Sequence, residues 1–74
     1  MILLELGRAK DAEAYGLKAV KIRPDYAGAY NNLANALKEL QKLEEAEICY
    51  RKTIELEPNF AQAYANLGDI RRKV

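Results

Sequence analysis

The sequence contains no histidine, serine or tryptophan, and it has one threonine and one cysteine among 74 residues. Serine–histidine and cysteine–histidine nucleophilic arrangements therefore cannot be assembled within it. A single cysteine also excludes an internal disulfide framework and a cysteine-clustered zinc site. We therefore expect a protein that is not an enzyme and that needs neither a cofactor nor a metal ion.

Neither sign of charge dominates, because the sequence contains 12 Lys and Arg residues and 11 Asp and Glu residues, which gives a net charge of +1. A near-neutral chain lacks the basic excess that nucleic-acid binding requires. Long apolar runs are absent too, since the opening Met1–Leu4 ends at Glu5 and is too short for a membrane span or a signal peptide. We therefore expect a soluble, cytoplasmic protein that binds neither nucleic acid nor membranes.

A repeat with a period of 34 residues runs through the chain. Shifting the sequence by 34 positions aligns twelve identical pairs among 40, against roughly two or three expected by chance from average composition. The identical pairs fall at positions with structural roles, and they include Leu3/Leu37, Leu6/Leu40, Ala12/Ala46, Pro24/Pro58, Ala27/Ala61, Ala29/Ala63, Tyr30/Tyr64, Asn32/Asn66 and Leu33/Leu67.

Each repeating unit contains two amphipathic helices. Apolar residues in segment 27–40 follow the spacing i, i+3, i+4, i+7, which places them on one helical stripe, and segment 43–56 has a comparable stripe. The pattern predicts a turn at Gln41-Lys42 between the two helices and, one unit earlier, a turn at Gly7-Arg8. Pro58 ends the second helix.

This helix–turn–helix unit resembles the tetratricopeptide repeat, and the resemblance covers the whole chain. It implies an all-α fold in which helical hairpins stack as a short right-handed superhelix of about two repeats. The style of the repeats looks most like that of bacterial scaffold proteins and of the O-linked N-acetylglucosamine transferase. The residues that carry the resemblance are Tyr30, Leu33, Ala34, Leu37, Ala46, Tyr50 and Pro58, followed by Tyr64, Leu67 and Gly68.

The register of the repeat divides the chain into three parts. Residues 1–26 are a partial first repeat (the end of helix A plus helix B), residues 27–60 a complete repeat, and residues 61–74 helix A of a third repeat acting as a terminal helix. Repeat arrays usually need about three units for stability. We therefore expect either a fragment of a longer array or a homo-oligomer that forms through the terminal helices.

Gly16 departs from the pattern, because it stands where the next unit has Tyr50. Glycine inside a helix costs about 1 kcal/mol relative to alanine. We expect a local gap at this position, filled by Tyr15.

Tetratricopeptide arrays, by resemblance, hold extended peptides on a concave side that the first helix of each unit lines. Three asparagines within five residues of such a helix are roughly 1 to 2 kcal/mol less favourable than good helix formers, and asparagine amides can pair with a peptide backbone without reading its side chains. The alternative is a plain solvated face. The corresponding residues are Asn31, Asn32, Asn35, Lys38, Glu39, Gln62, Asn66, Asp69, Arg72 and Lys73.

Two known binding patterns resemble parts of this face. Asn32 and Asn66, one repeat apart, resemble the asparagine ladder with which the glycosyltransferase superhelix holds peptide main chains. Asn35 with Asn66 resembles part of the carboxylate clamp of co-chaperone repeats. That clamp is incomplete here, because Asn31 stands where the clamp has a lysine.

The sequence thus predicts a non-catalytic protein–protein interaction module that binds an extended peptide segment in an Asn-lined concave groove. The alternatives are a structural stacking or homo-oligomerisation module, and a repeat fragment of a larger scaffold protein or glycosyltransferase. Cys49 lies on an apolar helical face and is interpreted as a packing residue, since no histidine can activate it. Leu17 and Ile48 are expected on the outer, polar faces of their helices.

Overall fold

The computed structural model describes the backbone of residues 2–73 and the side chains of residues 7–72. Helix α1 spans Ile2–Ile22, α2 Ala27–Glu39, α3 Leu43–Leu56 and α4 Ala61–Lys73, and residues 2–73 contain no strand. Each helix packs against the next, and α2 also contacts α4. The prediction of an all-α fold of stacked helical hairpins is therefore confirmed.

Both prolines lie in tight turns between hairpins. The backbone N–H of Tyr26 donates to the carbonyl oxygen of Arg23, just before Pro24, at 3.2 Å. The N–H of Phe60 likewise donates to the carbonyl oxygen of Glu57, just before Pro58, at 3.1 Å. Proline suits the second position of such a turn because its φ is already fixed near the required value. The two turns are therefore built alike, one repeat apart.

The turn between α2 and α3 closes at Gln41-Lys42, as the sequence predicts. Gln41 adopts a left-handed φ of 63°. Its N–H donates to the carbonyl of Lys38 at 3.0 Å, and the N–H of Lys42 donates to that of Leu37 at 2.9 Å. These two bonds form a Schellman motif, which satisfies the last carbonyls of α2.

The predicted turn at Gly7-Arg8 is wrong, since α1 runs without interruption from Ile2 to Ile22. A Cβ added at Gly7 would meet nothing within 4 Å, so a side chain would fit in the helix there. Residues 2–6 amount to little more than one helical turn. Continuing the helix keeps the backbone hydrogen bonds of this segment.

The core lies where α2, α3 and α4 meet. The buried cluster consists of Leu33, Ala34 and Leu37 from α2, Ala46 and Tyr50 from α3, and Ala63, Leu67 and Ile70 from α4.

Within residues 2–73, no helix is both long enough and apolar enough to cross a membrane.

The prediction that Tyr15 fills a gap at Gly16 is wrong. A Cβ at this position would lie 2.9 Å from Cβ and 3.1 Å from Cα of Leu33, so the missing side chain is what lets α1 lie close to α2. Tyr15 does not fill the place, because 73% of its surface is exposed. Close packing of α1 on Leu33 therefore occupies the space next to the Gly16 Cα.

Candidate peptide-binding groove

A groove of about 410 Å³ lies between α2 and α4, the first helices of two successive units. We call it the α2–α4 groove. Polar side chains dominate its lining. They are Asn35, Lys38 and Glu39 from α2, and Gln62 and Asn66 from α4, with Ala65 between them.

A hydrogen-bond network joins three helices across this groove. The hydroxyl of Tyr50 on α3 donates to Asn35 Oδ1. Asn66 Nδ2 donates to the same oxygen at 3.1 Å, and Lys38 Nζ donates to Asn66 Oδ1 at 3.1 Å. Asn35 and Lys38 lie one helical turn apart on α2, so both reach the same asparagine of α4. The network fixes the orientation of both amides.

Tyr50 holds its proton under ordinary conditions. Burial, with a smaller contribution from the nearby Asp69 carboxylate, raises the pKa of Tyr50 to about 12. Its hydroxyl therefore donates to Asn35 at neutral pH. Because Asn35 Oδ1 already accepts two hydrogen bonds, the amide Nδ2 of Asn35 is the group that faces away from this network.

Asn31 is not on the open surface. Only 3% of Asn31 is exposed, and its Nδ2 donates to Gln62 Oε1 at 3.4 Å. Its Oδ1 is buried without a hydrogen-bond partner. Asn31 therefore joins α2 to α4 at one end of the α2–α4 groove, and a ligand reaches Gln62 more readily than Asn31.

Asp69 and Arg72 lie on α4 and form an ion pair with each other, three residues apart. Arg72 is largely exposed, with 80% of its side chain accessible, and Asp69 is intermediate. Exposed pairs of this kind contribute little to stability. Neither residue lines the α2–α4 groove.

Asn32 faces a second, larger groove of about 800 Å³ between α1 and α2, which we call the α1–α2 groove. Asn32 and Asn66 therefore lie in different grooves, while Asn35 and Glu39 border both. The sequence prediction did not include this second groove. Its lining residues nevertheless occupy repeat positions that recur 34 residues later, in α3 and α4. The lining consists of Arg8, Ala9, Ala12, Tyr15, Gly16 and Ala19 from α1, and Ala29, Asn32, Asn35, Ala36 and Glu39 from α2.

The remaining residues singled out from the sequence lie in the packed interior or on the outer faces of the helices. Burial, followed by the charge of Glu45, raises the pKa of the Cys49 thiol, which disfavours the reactive thiolate. Leu17 and Ile48 are exposed, 53% and 68%, as expected for outer faces. Among the described residues, no three Cys, Asp or Glu side chains are grouped as metal ligands.

Models of known protein families identify the family of this chain. Three models, each described as a tetratricopeptide repeat, match residues 1–26, 27–60 and 49–74. Together they span the chain, which therefore belongs to the tetratricopeptide repeat family. The bacterial-scaffold or glycosyltransferase subtype stays a prediction.

A solved structure supports the same assignment. The chain is 32% identical, with a TM-score of 0.81, to the first TPR of Spaghetti (RPAP3) bound to the HSP90 peptide SRMEEVD. The similarity covers 99% of this chain and 65% of that one. A comparison with curated protein sequences gave no match.

Proposed function

We propose that this chain is a non-catalytic interaction module that binds an extended peptide segment of a partner protein along the α2–α4 groove. The observation that carries the proposal is the network in which Asn35, Asn66 and Lys38 are held together across two successive repeat units. The relative bound to the peptide SRMEEVD supports this class of ligand.

The groove offers several hydrogen-bond donors to a ligand, beside the carboxylate of Glu39. Lys38 has three N–H groups, one of which is used by Asn66, and Asn35 Nδ2 faces away from its own network. These donors suit the carbonyl oxygens of an extended backbone and the carboxylates of acidic side chains. Because the network already fixes the amides, a ligand loses less free energy in ordering them.

Two modes of recognition fit these groups. A main-chain mode uses the asparagine amides, whereas a carboxylate mode uses the ammonium group of Lys38. The carboxylate clamp stays incomplete, because Asn31, at the position of the clamp lysine, is a buried amide. We therefore propose main-chain recognition, with affinity of order 10 μM or weaker for so short a groove.

A titration with the peptide SRMEEVD tests the proposal. Labelled peptide is titrated with the chain and followed by fluorescence anisotropy, once with a free C-terminal carboxylate and once with a C-terminal amide. Main-chain recognition predicts similar affinities for the two forms. A tenfold or larger preference for the free carboxylate, equivalent to about 1.4 kcal/mol, would instead favour the clamp.

The variant Asn66→Ala localises the binding. It removes the acceptor of Lys38 and one donor to Asn35, and we expect at least a tenfold loss of peptide affinity. Asn59→Ala is the matched control, because Asn59 is an exposed asparagine in the loop before α4. Circular dichroism verifies that both variants fold. If Asn66→Ala binds as tightly as Asn59→Ala, the α2–α4 groove is not the site.

The family and the peptide-bound relative both support an interaction module without chemistry of its own. A cytoplasmic location stays a prediction. Membership in a larger scaffold protein or glycosyltransferase is the alternative, and it would place the same groove beside another domain without changing the chemistry of its residues.

A further inference from the structure

The α1–α2 groove has an internal counterpart that is filled. Adding 34 to its α1 residues gives Lys42, Leu43, Ala46, Cys49, Tyr50 and Thr53 of α3, and adding 34 to its α2 residues Ala29, Asn32 and Ala36 gives Ala63, Asn66 and Ile70 of α4. Helix α2 packs against both α3 and α4, and four of these counterparts, Ala46, Tyr50, Thr53 and Ala63, are each 0% exposed. The repeat therefore shows what fits such a groove, namely a helix with the α2 pattern.

In helix α4, the face that corresponds to this pattern is uncovered. In α2, Ala34 and Leu37 are 0% and 4% exposed. Their counterparts one repeat later, Gly68 and Arg71, are both exposed, and Tyr64 is 50% exposed. The face that α2 buries in the filled site is thus the face that α4 presents to solvent.

We propose that the α1–α2 groove binds helix α4 of a second copy of this chain. In the filled site, Asn66 accepts a hydrogen bond from Lys38 and donates one to Asn35. The counterparts of these three residues are Asn32, Arg72 and Asp69. Asn32 of one copy then donates to Asp69 and accepts from Arg72 of the other copy.

The polar groups for this contact are already present. Asn32 is exposed in the α1–α2 groove, and Asp69 and Arg72 are paired with each other on the free face of α4. Arg71 replaces Leu37, the residue that packs in the filled site, so the contact between copies is weaker than the packing of α2. Arg71→Leu restores the α2 pattern and should tighten association tenfold or more.

The proposed contact joins two different surfaces, so it is head-to-tail and does not close. Each added copy exposes a new groove at one end and a new α4 face at the other. Sedimentation should therefore show a mean mass that rises continuously with concentration and passes beyond a dimer. A closed dimer would contradict the proposal.

Two variants block one surface each. Ala12→Arg places a long charged side chain in the groove, at an exposed position whose counterpart Ala46 is fully covered. Gly68→Arg does the same on α4, where a Cβ would meet nothing within 4 Å. Both positions are exposed in the single chain, so both variants should fold, which circular dichroism verifies. Ala14→Arg is the matched control, since Ala14 is exposed on α1 outside the groove.

The decisive experiment mixes the two blocked variants. Ala12→Arg keeps an intact α4 face, and Gly68→Arg keeps an intact groove. Each alone should remain monomeric, and an equimolar mixture should form a 1:1 heterodimer and nothing larger. Ala14→Arg should associate like the unmodified chain.

The measurements are made on the unmodified chain and on Arg71→Leu up to about 1 mM, where binding of about 4 kcal/mol is still detectable. The proposal is wrong if both remain monomeric, if Ala12→Arg associates like Ala14→Arg, or if the mixture of blocked variants gives no heterodimer.

Discussion

Gly16 and Gly68 provide the sharpest test of the packing described above, because both are helical glycines and only Gly16 has a close neighbour. Replacing glycine by alanine inside a helix gains about 0.8 to 1 kcal/mol. A Cβ at Gly68 would meet nothing within 4 Å. Gly68→Ala should therefore raise the free energy of unfolding by about that amount.

Gly16→Ala gains the same helix propensity but loses more through crowding. Its Cβ would lie 2.9 Å from Cβ and 3.1 Å from Cα of Leu33, and the Cα belongs to the backbone of α2, which cannot rotate away. Overpacking of this kind costs about 1 to 3 kcal/mol. The net effect is a loss of about 0 to 2 kcal/mol, so the two alanine variants should differ by about 1 to 3 kcal/mol.

Urea unfolding followed by far-ultraviolet circular dichroism measures this difference. The free energy of unfolding of so small a protein falls by about 1 kcal/mol per molar urea. The unfolding midpoints of the two variants should therefore be about 1 to 3 M apart, with that of Gly68→Ala the higher. The samples are kept dilute, so that association between chains does not add to stability. If Gly16→Ala unfolds at the same or a higher urea concentration than Gly68→Ala, α1 does not lie against Leu33 as described.

Two further predictions concern ionisable side chains. Burial and Asp69 raise the pKa of Tyr50 from 10.0 to about 12, so its protonated form stabilises the fold fully below pH 10.0 and this contribution is lost as the pH rises to about 12. Tyr50→Phe should lose about 1 kcal/mol at neutral pH and should unfold with a weaker dependence on pH in that window, and an unchanged pH dependence would contradict the assignment. Burial also raises the pKa of Cys49, so iodoacetamide should alkylate it slowly in the folded chain and rapidly in urea, with equal rates counting against the packing role.

The turns show how far local sequence carries a prediction. Gln41-Lys42 and Gly7-Arg8 have the same register, yet only the first is a turn. Local sequence does not distinguish them, because a turn between helices is stabilised by packing of the two helices on each other. Helix α2 packs on α3 beside Gln41, whereas residues 2–6 continue α1 through Gly7.

The candidate binding residues show a similar division between what the sequence predicts and what only the structure reveals. The repeat register correctly placed Asn35, Lys38, Gln62 and Asn66 along neighbouring first helices. It did not show that Asn31 is buried, because a position on the polar stripe of an isolated helix is covered here by α4. It also did not show that Asn32 and Asn66 border different grooves, since that depends on which helix lies on each side of α2.

The sequence by itself determined the helices α2, α3 and α4, the end of α3 before Pro58, the turn at Gln41 and the tetratricopeptide family, because periodicity and turn residues are local properties that recur every 34 residues. Only the tertiary structure decided how closely α1 approaches α2, which polar residues are buried, and which of two grooves each asparagine faces. These features depend on contacts between helices, and a pattern read along one helix contains no distance to the next.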